Sequence, residues 1–429
     1  MSNCQTRGAQ SSLAVVSLAI SLIGTLSLSS IVHAGNLTSS FGVENPSVLP
    51  NGIRNPQFKY VIVSPTNKFD GIGVPQPLGA SLNKSLSWNE VIAGQGSETD
   101  KAIIAGAVSK LGQDLNDSPG STSGEVFVDT RVLVPVLAYG ISDRLTIAAA
   151  LPVYQVDVKA KSGFVKTQKG DDFVLETAKT DTYAANEAAN KFNNAVDNKL
   201  TELGYDPLQD QNFSHIGDGK IVAKYLALEN EKNKFAIKGE LTLPTGKEPN
   251  PNNPVDIATG DGQTDIGVTA IMSHQLNSWL SLNGYGGTTI QLPDETEVRV
   301  PNSNFDALSR DKETLSRNLG DIYHAGIGTG FGTSSRGLSF NLGYSFQFQN
   351  GTSFENGKLP SERYRFLEGK NPLQALHSAT ATLGFSTIDW YKSGRFFYPF
   401  TAALTYSKPL AGRNVISDSV VIADLIVFF

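Results

Sequence analysis

The sequence predicts an all-β protein, a transmembrane antiparallel up-and-down β-barrel, on three observations. Apolar and polar residues alternate at period two in one segment after another. The clearest sets Leu338, Phe340, Leu342, Tyr344, Phe346 and Phe348 against Ser339, Asn341, Gly343, Ser345, Gln347 and Gln349. The connections between such segments alternate short and long, as when turns lie on one side of a membrane and loops on the other. The chain opens with an export signal and closes on Val-Ile-Ala-Asp-Leu-Ile-Val-Phe-Phe, an alternating strand that ends in Phe429. Together these mark a barrel of the outer membrane of a Gram-negative bacterium.

Residues 1–34 read as a signal peptide. Arg7 precedes an apolar run from Leu13 to Leu28, and Val32-His33-Ala34 supplies a small-x-small cleavage site, so the mature chain is expected to begin near Gly35. Cys4 lies ahead of the run, where it is not placed to anchor a lipid, and cleavage leaves no cysteine. A cysteine-free exported chain has neither a disulfide framework nor a thiolate metal site. Losing Arg7 takes 35 basic residues to 34 against 41 acidic ones, a net charge of −7 instead of −6, which argues against a nucleic-acid partner. No mature stretch holds the roughly 18 continuous apolar residues of a membrane helix. The mean hydropathy of −0.16 looks soluble, but alternation hides barrels from hydropathy.

Residues 35–124 are expected to form an N-terminal segment, a candidate hatch or plug that carries the first strand, and residues 125–429 the barrel. Strands are expected near 125–139, 143–158, 218–229, 233–244, 263–275, 278–292, 321–332, 336–349, 375–390, 394–408 and 417–429, long enough for the about 9–11 residues of a tilted spanning strand. Short turns fall at Gly140-Ile141-Ser142, Asn230-Glu231-Lys232, around Asn277, at Thr333-Ser334-Ser335 and at Lys392-Ser393-Gly394. Parity demands one earlier strand, and Gln57 to Pro65 supplies it. The count is then twelve, or fourteen if the 66–124 region adds a hairpin. Helical spacing is read at Thr99 to Leu115, Ala184 to Leu203 and Phe305 to Leu319, as loop or plug insertions.

The aromatic residues separate this reading from a soluble β-sandwich. Trp279, Trp390, Tyr391, Phe396, Tyr398 and Phe429 gather at the turn ends of strands, and Tyr323, Tyr344, Phe346 and Tyr406 near the loop ends, as interfacial girdles would.

Alternation places Asp129, Arg131, Lys238, Glu240, Asp265 and His324 on the lumen side, paired across neighbouring strands. The acidic loop from Asp256 to Asp265 gathers oxygen ligands, but its spacing matches no EF-hand, and Asn/Asp/Gly turn chemistry accounts for it. An outer-membrane hydrolase would need a nucleophile, a base and an orienting group. Of His215, His274, His324 and His377 only His324 is expected to point inward, and no carboxylate is signalled behind it. Neither an enzyme nor a cofactor nor a metal site is expected. A general porin, or a structural barrel working through its binding loops, would show the same strands.

Two motifs carry a resemblance. Leu243-Pro244-Thr245-Gly246-Lys247 closes one strand and Gly260-Asp261-Gly262-Gln263-Thr264-Asp265-Ile266-Gly267 opens the next; Tyr139-Gly140-Ile141-Ser142-Asp143-Arg144-Leu145-Thr146 forms a hairpin ending in Leu151-Pro152. Over roughly residues 125–429 the chain resembles the outer-membrane transporter family of the MetA-pathway of phenol degradation. It is distantly similar to the long-chain fatty acid and aromatic hydrocarbon transporter superfamily, with Glu44-Asn45-Pro46-Ser47-Val48 a faint echo of the hatch. The insertion at 159–217 departs from the compact family pattern. The resemblance implies passive uptake of hydrophobic or aromatic small molecules, with outer-membrane lipid and the barrel-assembly machinery as partners and Phe429 as part of the assembly signal.

Overall fold

Twelve antiparallel strands close on themselves. The computed structural model describes residues 43–83, 85–93, 98–178, 200–304, 308–333 and 337–429. The expected signal peptide, residues 1–34, and residues 35–42 lie outside these. The barrel strands are β1 (Arg54–Val63), β2 (Gly120–Ser142), β3 (Leu145–Ala150), β4 (Gly219–Glu229), β5 (Asn233–Leu243), β6 (Asp265–Asn277), β7 (Leu280–Gln291), β8 (Ile322–Thr333), β9 (Leu338–Gln349), β10 (Gln374–Ser386), β11 (Phe400–Arg413) and β12 (Val420–Val427). Each pairs with the next, and β1 pairs with both β2 and β12, so the sheet closes without an edge. Beyond β12 the seam continues, because the Phe429 N–H donates to the Arg54 carbonyl at 2.9 Å and the Arg54 N–H to the Phe429 carbonyl at 3.1 Å. The count is twelve, as parity required.

The outer face explains why the sheet closes. Leu137, Met272, Ile327 and Leu383 are about 60% exposed, and Leu133, Ile237, Leu342 and Leu404 more than two-fifths, while their sequence neighbours point inward and are covered. An apolar belt around the whole wall is far larger than water tolerates on a monomer and suits hydrocarbon. Aromatic rings fringe it. At the turn end Trp279 stacks on Phe331 at 6.2 Å and Tyr398 meets Phe429 edge-on at 5.6 Å; at the loop end Tyr323 lies 6.4 Å from Phe348.

The structure corrects four expectations, of which that at Asp129 and Arg131 belongs to the lumen. The strand expected at 143–158 is two, Leu145–Ala150 and Val153–Lys166, broken at Leu151-Pro152. Pro152 has no N–H to give, but its carbonyl accepts from Gly217 N at 2.8 Å and the register on β2 is kept across the break, Ala150 facing Val136 and Val153 facing Leu133, so the second piece carries the same strand on beside the upper part of β2. The short turn expected at Lys392-Ser393-Gly394 is a longer excursion containing the helix Ile388–Lys392. Buried Thr387 holds its base, its hydroxyl donating to the Tyr398 carbonyl at 2.7 Å and accepting from Phe400 N at 2.9 Å. The helix expected at Phe305 to Leu319 is a strand at Lys312–Asn318, paired with Asp294–Arg299. Period two wins because Glu313, Leu315 and Arg317 alternate with Thr314 and Ser316, burying Leu315 and Arg317 together. The helix expected at 99–115 forms over Glu98–Lys110; of that at 184–203, only Leu200 to Leu203 fall within the described residues.

Candidate functional site

The lumen has two unlike walls. On one side β2 turns Val126, Val128, Val132, Val134 and Val136 inward, every one at most 5% exposed. They form one apolar cluster with Val61 of β1, with Val156 and Val158 of the strand Val153–Lys166, and with Ile422 and Val420 of β12. The cluster continues upward without a break into the loops, through Leu200, Tyr205, Val255, Ile257 and Leu308.

Arg299 staples this cap. Its guanidinium donates to the carbonyls of Pro251, Leu203, Ser309 and Gly204 and to Asn252 Oδ1 at 2.5–2.8 Å, and lies 3.7 Å above the Tyr205 ring. The Tyr205 hydroxyl accepts from Ser309 N at 3.0 Å. Three loops are thereby held over the apolar wall.

The facing wall is built from glycine and small polar residues. Gly287, Gly326, Gly328 and Gly343 face inward with Ser339, Asn341 and Ser345. Where Gly343 would carry a Cβ the Val43 side chain already stands, and at Gly328 it comes within 2.7 Å of that position. Tyr285 lies over Gly326 in the same way. Val43 packs with Ile271 and Tyr285 in a small buried cluster.

Residues 43–53 run down the lumen from mid-depth to the turn end. Leu49 N donates to Thr146 Oγ1 at 2.7 Å, Asn51 N to Asp143 Oδ1 at 3.0 Å, and Gly52 N to the Gly140 carbonyl at 2.9 Å, which delivers the chain to β1. The segment is fixed most strongly by Glu44, which has no exposed surface. Lys238 Nζ lies 2.5 Å from Glu44 Oε1 and 2.8 Å from Glu240 Oε2; Lys224 Nζ lies 3.9 Å from Glu44 Oε2 and donates to the Asn45 carbonyl at 3.1 Å. Across the lumen Lys59 Nζ faces Asp424 Oδ1 at 3.7 Å. At this height three lysines, Lys59, Lys224 and Lys238, meet three carboxylates, Glu44, Glu240 and Asp424. Such a group persists only if mutual pairing offsets the desolvation of each charge.

Between this segment and the wall lies a cavity of about 230 Å³. Val136, Ala148, Val222 and Ile426 give it an apolar side, and Lys224, Thr146, Asn45 and Gln57 a polar one.

Of the residues expected in the lumen, Lys238, Glu240, Asp265 and His324 face inward. The first two belong to the ion group; His324 Nε2 lies 3.0 Å from Thr269 Oγ1, and Asp265 is buried nearer the loop end. Asp129 and Arg131 do not face inward. They share the outer face with exposed Phe127 and Leu133, pair with each other at 2.8 Å, and Ser64 Oγ donates to Asp129 at 2.7 Å. Alternation fixes which residues share a face, not which face is inside, and here the valines took the lumen because loop residues, among them Leu78, Leu200, Tyr205 and Ile257, cover them. Glu44, Lys59, Lys224 and Asp424 were not among the expected residues. Lys224 and Asp424 could have been found, since each alternates with lipid-facing Tyr225 and Leu425.

No family model matches the chain, and no curated protein matches its sequence. Among solved structures it is similar to an outer-membrane channel from Pseudomonas putida F1, with a TM-score of 0.49 and 11% identity over 90% of this chain and 98% of that one. It is also similar to the toluene transporter TbuX of Ralstonia pickettii, with a TM-score of 0.35 and 11% identity over 94% and 97%. A third is the monoaromatic hydrocarbon channel CymD, at 0.34 and 11% over 96% and 97%. The function of this chain has to be read from its own lumen.

Proposed function

We propose that the protein is an outer-membrane channel for passive uptake of small hydrophobic or aromatic molecules, held closed by residues 43–53 and by the capping loops. The observation that carries this reading is the unbroken apolar cluster from Leu200, Tyr205 and Ile257 in the loops down the inner valines of β2 to Val61. A general porin would present a polar, water-filled lumen throughout. Here an apolar solute meets the valine wall directly beneath the loop cap. Among the described residues the plug is then the segment 43–53, and residues 66–119 are an outer loop, since they connect the loop ends of β1 and β2.

Single-channel conductance in planar bilayers, with toluene, phenol and a long-chain fatty acid added in turn, tests this. The expected result is little open current together with saturable uptake into liposomes. Large steady currents indifferent to the solutes would overturn it. Outer-membrane lipid is the solvent of the apolar belt, and the barrel-assembly machinery is the partner to which the seam residue Phe429 is assigned. Deleting Phe429 removes its two backbone bonds to Arg54 and its ring contact with Tyr398. Membrane insertion is expected to fall while export is unchanged, read as the outer-membrane against periplasmic fraction of the protein.

A further inference from the structure

The charge pattern around Glu44 says more about the solute, given the channel reading above. Glu44 is a carboxylate on a segment that is not part of the wall, and its partners Lys224 and Lys238 are. With Glu44 in place the group is balanced, three lysines to three carboxylates; with the segment displaced, three lysines face Glu240 and Asp424. The deficit is one negative charge. Glu44 also fits its seat incompletely, because Oε2 has no hydrogen-bond partner among the described residues and stands 3.9 Å from Lys224.

Lys224 is shared. It lines the cavity of about 230 Å³ whose other side is Val136, Ala148, Val222 and Ile426. An apolar cavity of about 150 Å³ already admits benzene. The space beside Lys224 therefore takes one ring and a small polar group, and the polar group meets an ammonium.

We infer that Lys224 and Lys238 form a carboxylate-binding site which the protein's own Glu44 occupies, and that the solute is a compact monocarboxylate with an apolar body of about one ring. The solute's carboxylate replaces Glu44 on the lysines while its ring rests on Val136 and Val222. Exchange of one carboxylate for another keeps the buried charge balanced at every stage, so a carboxylate is favoured over a neutral solute of the same size. Release of Glu44 frees residues 43–53 to leave their seat on the glycine wall. The plug is thus a competitor carried in cis, displaced by the molecule the channel admits.

Calorimetric titration of the folded barrel in detergent with benzoate, and with benzyl alcohol as its neutral counterpart, tests this. Glu44→Gln removes the competitor's charge, and benzoate is expected to bind about tenfold tighter, the scale of one charge-assisted hydrogen bond, with benzyl alcohol unchanged. Lys224→Gln, which leaves the Lys238 pair with Glu44 intact, is expected to abolish the preference for benzoate. Equal gains for both probes in Glu44→Gln, or an undiminished benzoate preference in Lys224→Gln, would overturn the proposal. If Glu44→Gln does not fold, judged by heat-modifiable gel mobility, Lys224→Gln decides alone. Toluene uptake into liposomes separates the two readings: uptake without benzoate selectivity removes the carboxylate site and leaves the channel standing, whereas absence of both removes both.

Discussion

The valine wall and the glycine wall of this lumen solve opposite problems. Along β2 the inward side chains are full-sized and, apart from Thr130, apolar, and they continue into loops that Arg299 ties down. Along β8 and β9 the inward positions are small, and where a Cβ would stand at Gly328 and Gly343 the structure holds Val43 instead. On the proposed channel reading one wall supplies surface to a guest from outside, whereas the other gives up its own side chains to seat residues of the same chain. A barrel with two valine walls would fill its lumen and have no room for a plug; with two glycine walls it would hold water.

The sharpest way to break this arrangement is at the ion group that locks the plug between the walls. Replacing Lys238 with Met leaves Glu44 and Glu240 buried without their shared partner, an uncompensated charge that costs about 3–5 kcal/mol. Urea unfolding in lipid vesicles is expected to show a loss of that size, and planar bilayers an open current absent from the parent. A silent bilayer with normal stability would mean that Glu44 does not hold the plug.

A smaller change tests the glycine wall alone. Gly343→Ala drives a methyl into Val43 Cγ2 and to 2.6 Å from Thr380 Oγ1. Overpacking of this kind costs about 1–3 kcal/mol, and since the barrel wall is continuous through hydrogen bonds, the plug is the element expected to yield. Open current should rise while the unfolding midpoint of the barrel changes little. The matching test of the other wall is Val134→Asn, which sets a polar group in the apolar strip. Uptake of toluene into liposomes is expected to fall about tenfold, equivalent to about 1.4 kcal/mol, with ionic current unaltered. If Val134→Asn changes current and Gly343→Ala changes uptake, the division of labour between the walls is wrong.

Most of the barrel was legible in the sequence because a closed sheet obeys one local rule. Leu338 to Gln349 alternates in the chain and alternates in the structure, and parity alone required the strand now seen at Arg54–Val63. What local pattern does not contain is the identity of the covered face. On β2 the valines read as lipid-facing and Asp129 and Arg131 as lumenal, yet loop residues far away in sequence bury the valines instead. The same limit hid the ion group. Lys59, Lys224, Lys238 and Asp424 come from β1, β4, β5 and β12, and Glu44, on a short segment without any period, joins β4 and β5 at one point. At Lys312–Asn318 a helical and an alternating reading shared Leu315, and pairing with Asp294–Arg299 decided between them.

The weakest lever on the comparison lies in the cap above the valine wall, at Asp218, beyond the spanning strands. Its carboxylate accepts from Gly246 N at 2.9 Å and from Asp261 N at 3.2 Å, fastening the loop that carries Val255 and Ile257. Burial, reinforced by the charge of Asp261, holds the Asp218 carboxyl above the ordinary carboxylate range despite those two bonds. A carboxyl raised in the fold binds its proton more tightly there than in the unfolded chain. Its contribution therefore favours the closed loop most fully below the ordinary carboxylate value and is lost as pH rises through the raised one. Hydrogen exchange of the amides of residues 244–262 is expected to be slightly slower in mild acid than at neutrality, after correction for intrinsic rates. Asp218→Asn keeps an acceptor oxygen without the charge, and should flatten that dependence and slow exchange at neutral pH. Faster exchange in Asp218→Asn would mean that the two backbone bonds need the full carboxylate, and that the cap is held by Asp218 in spite of its burial.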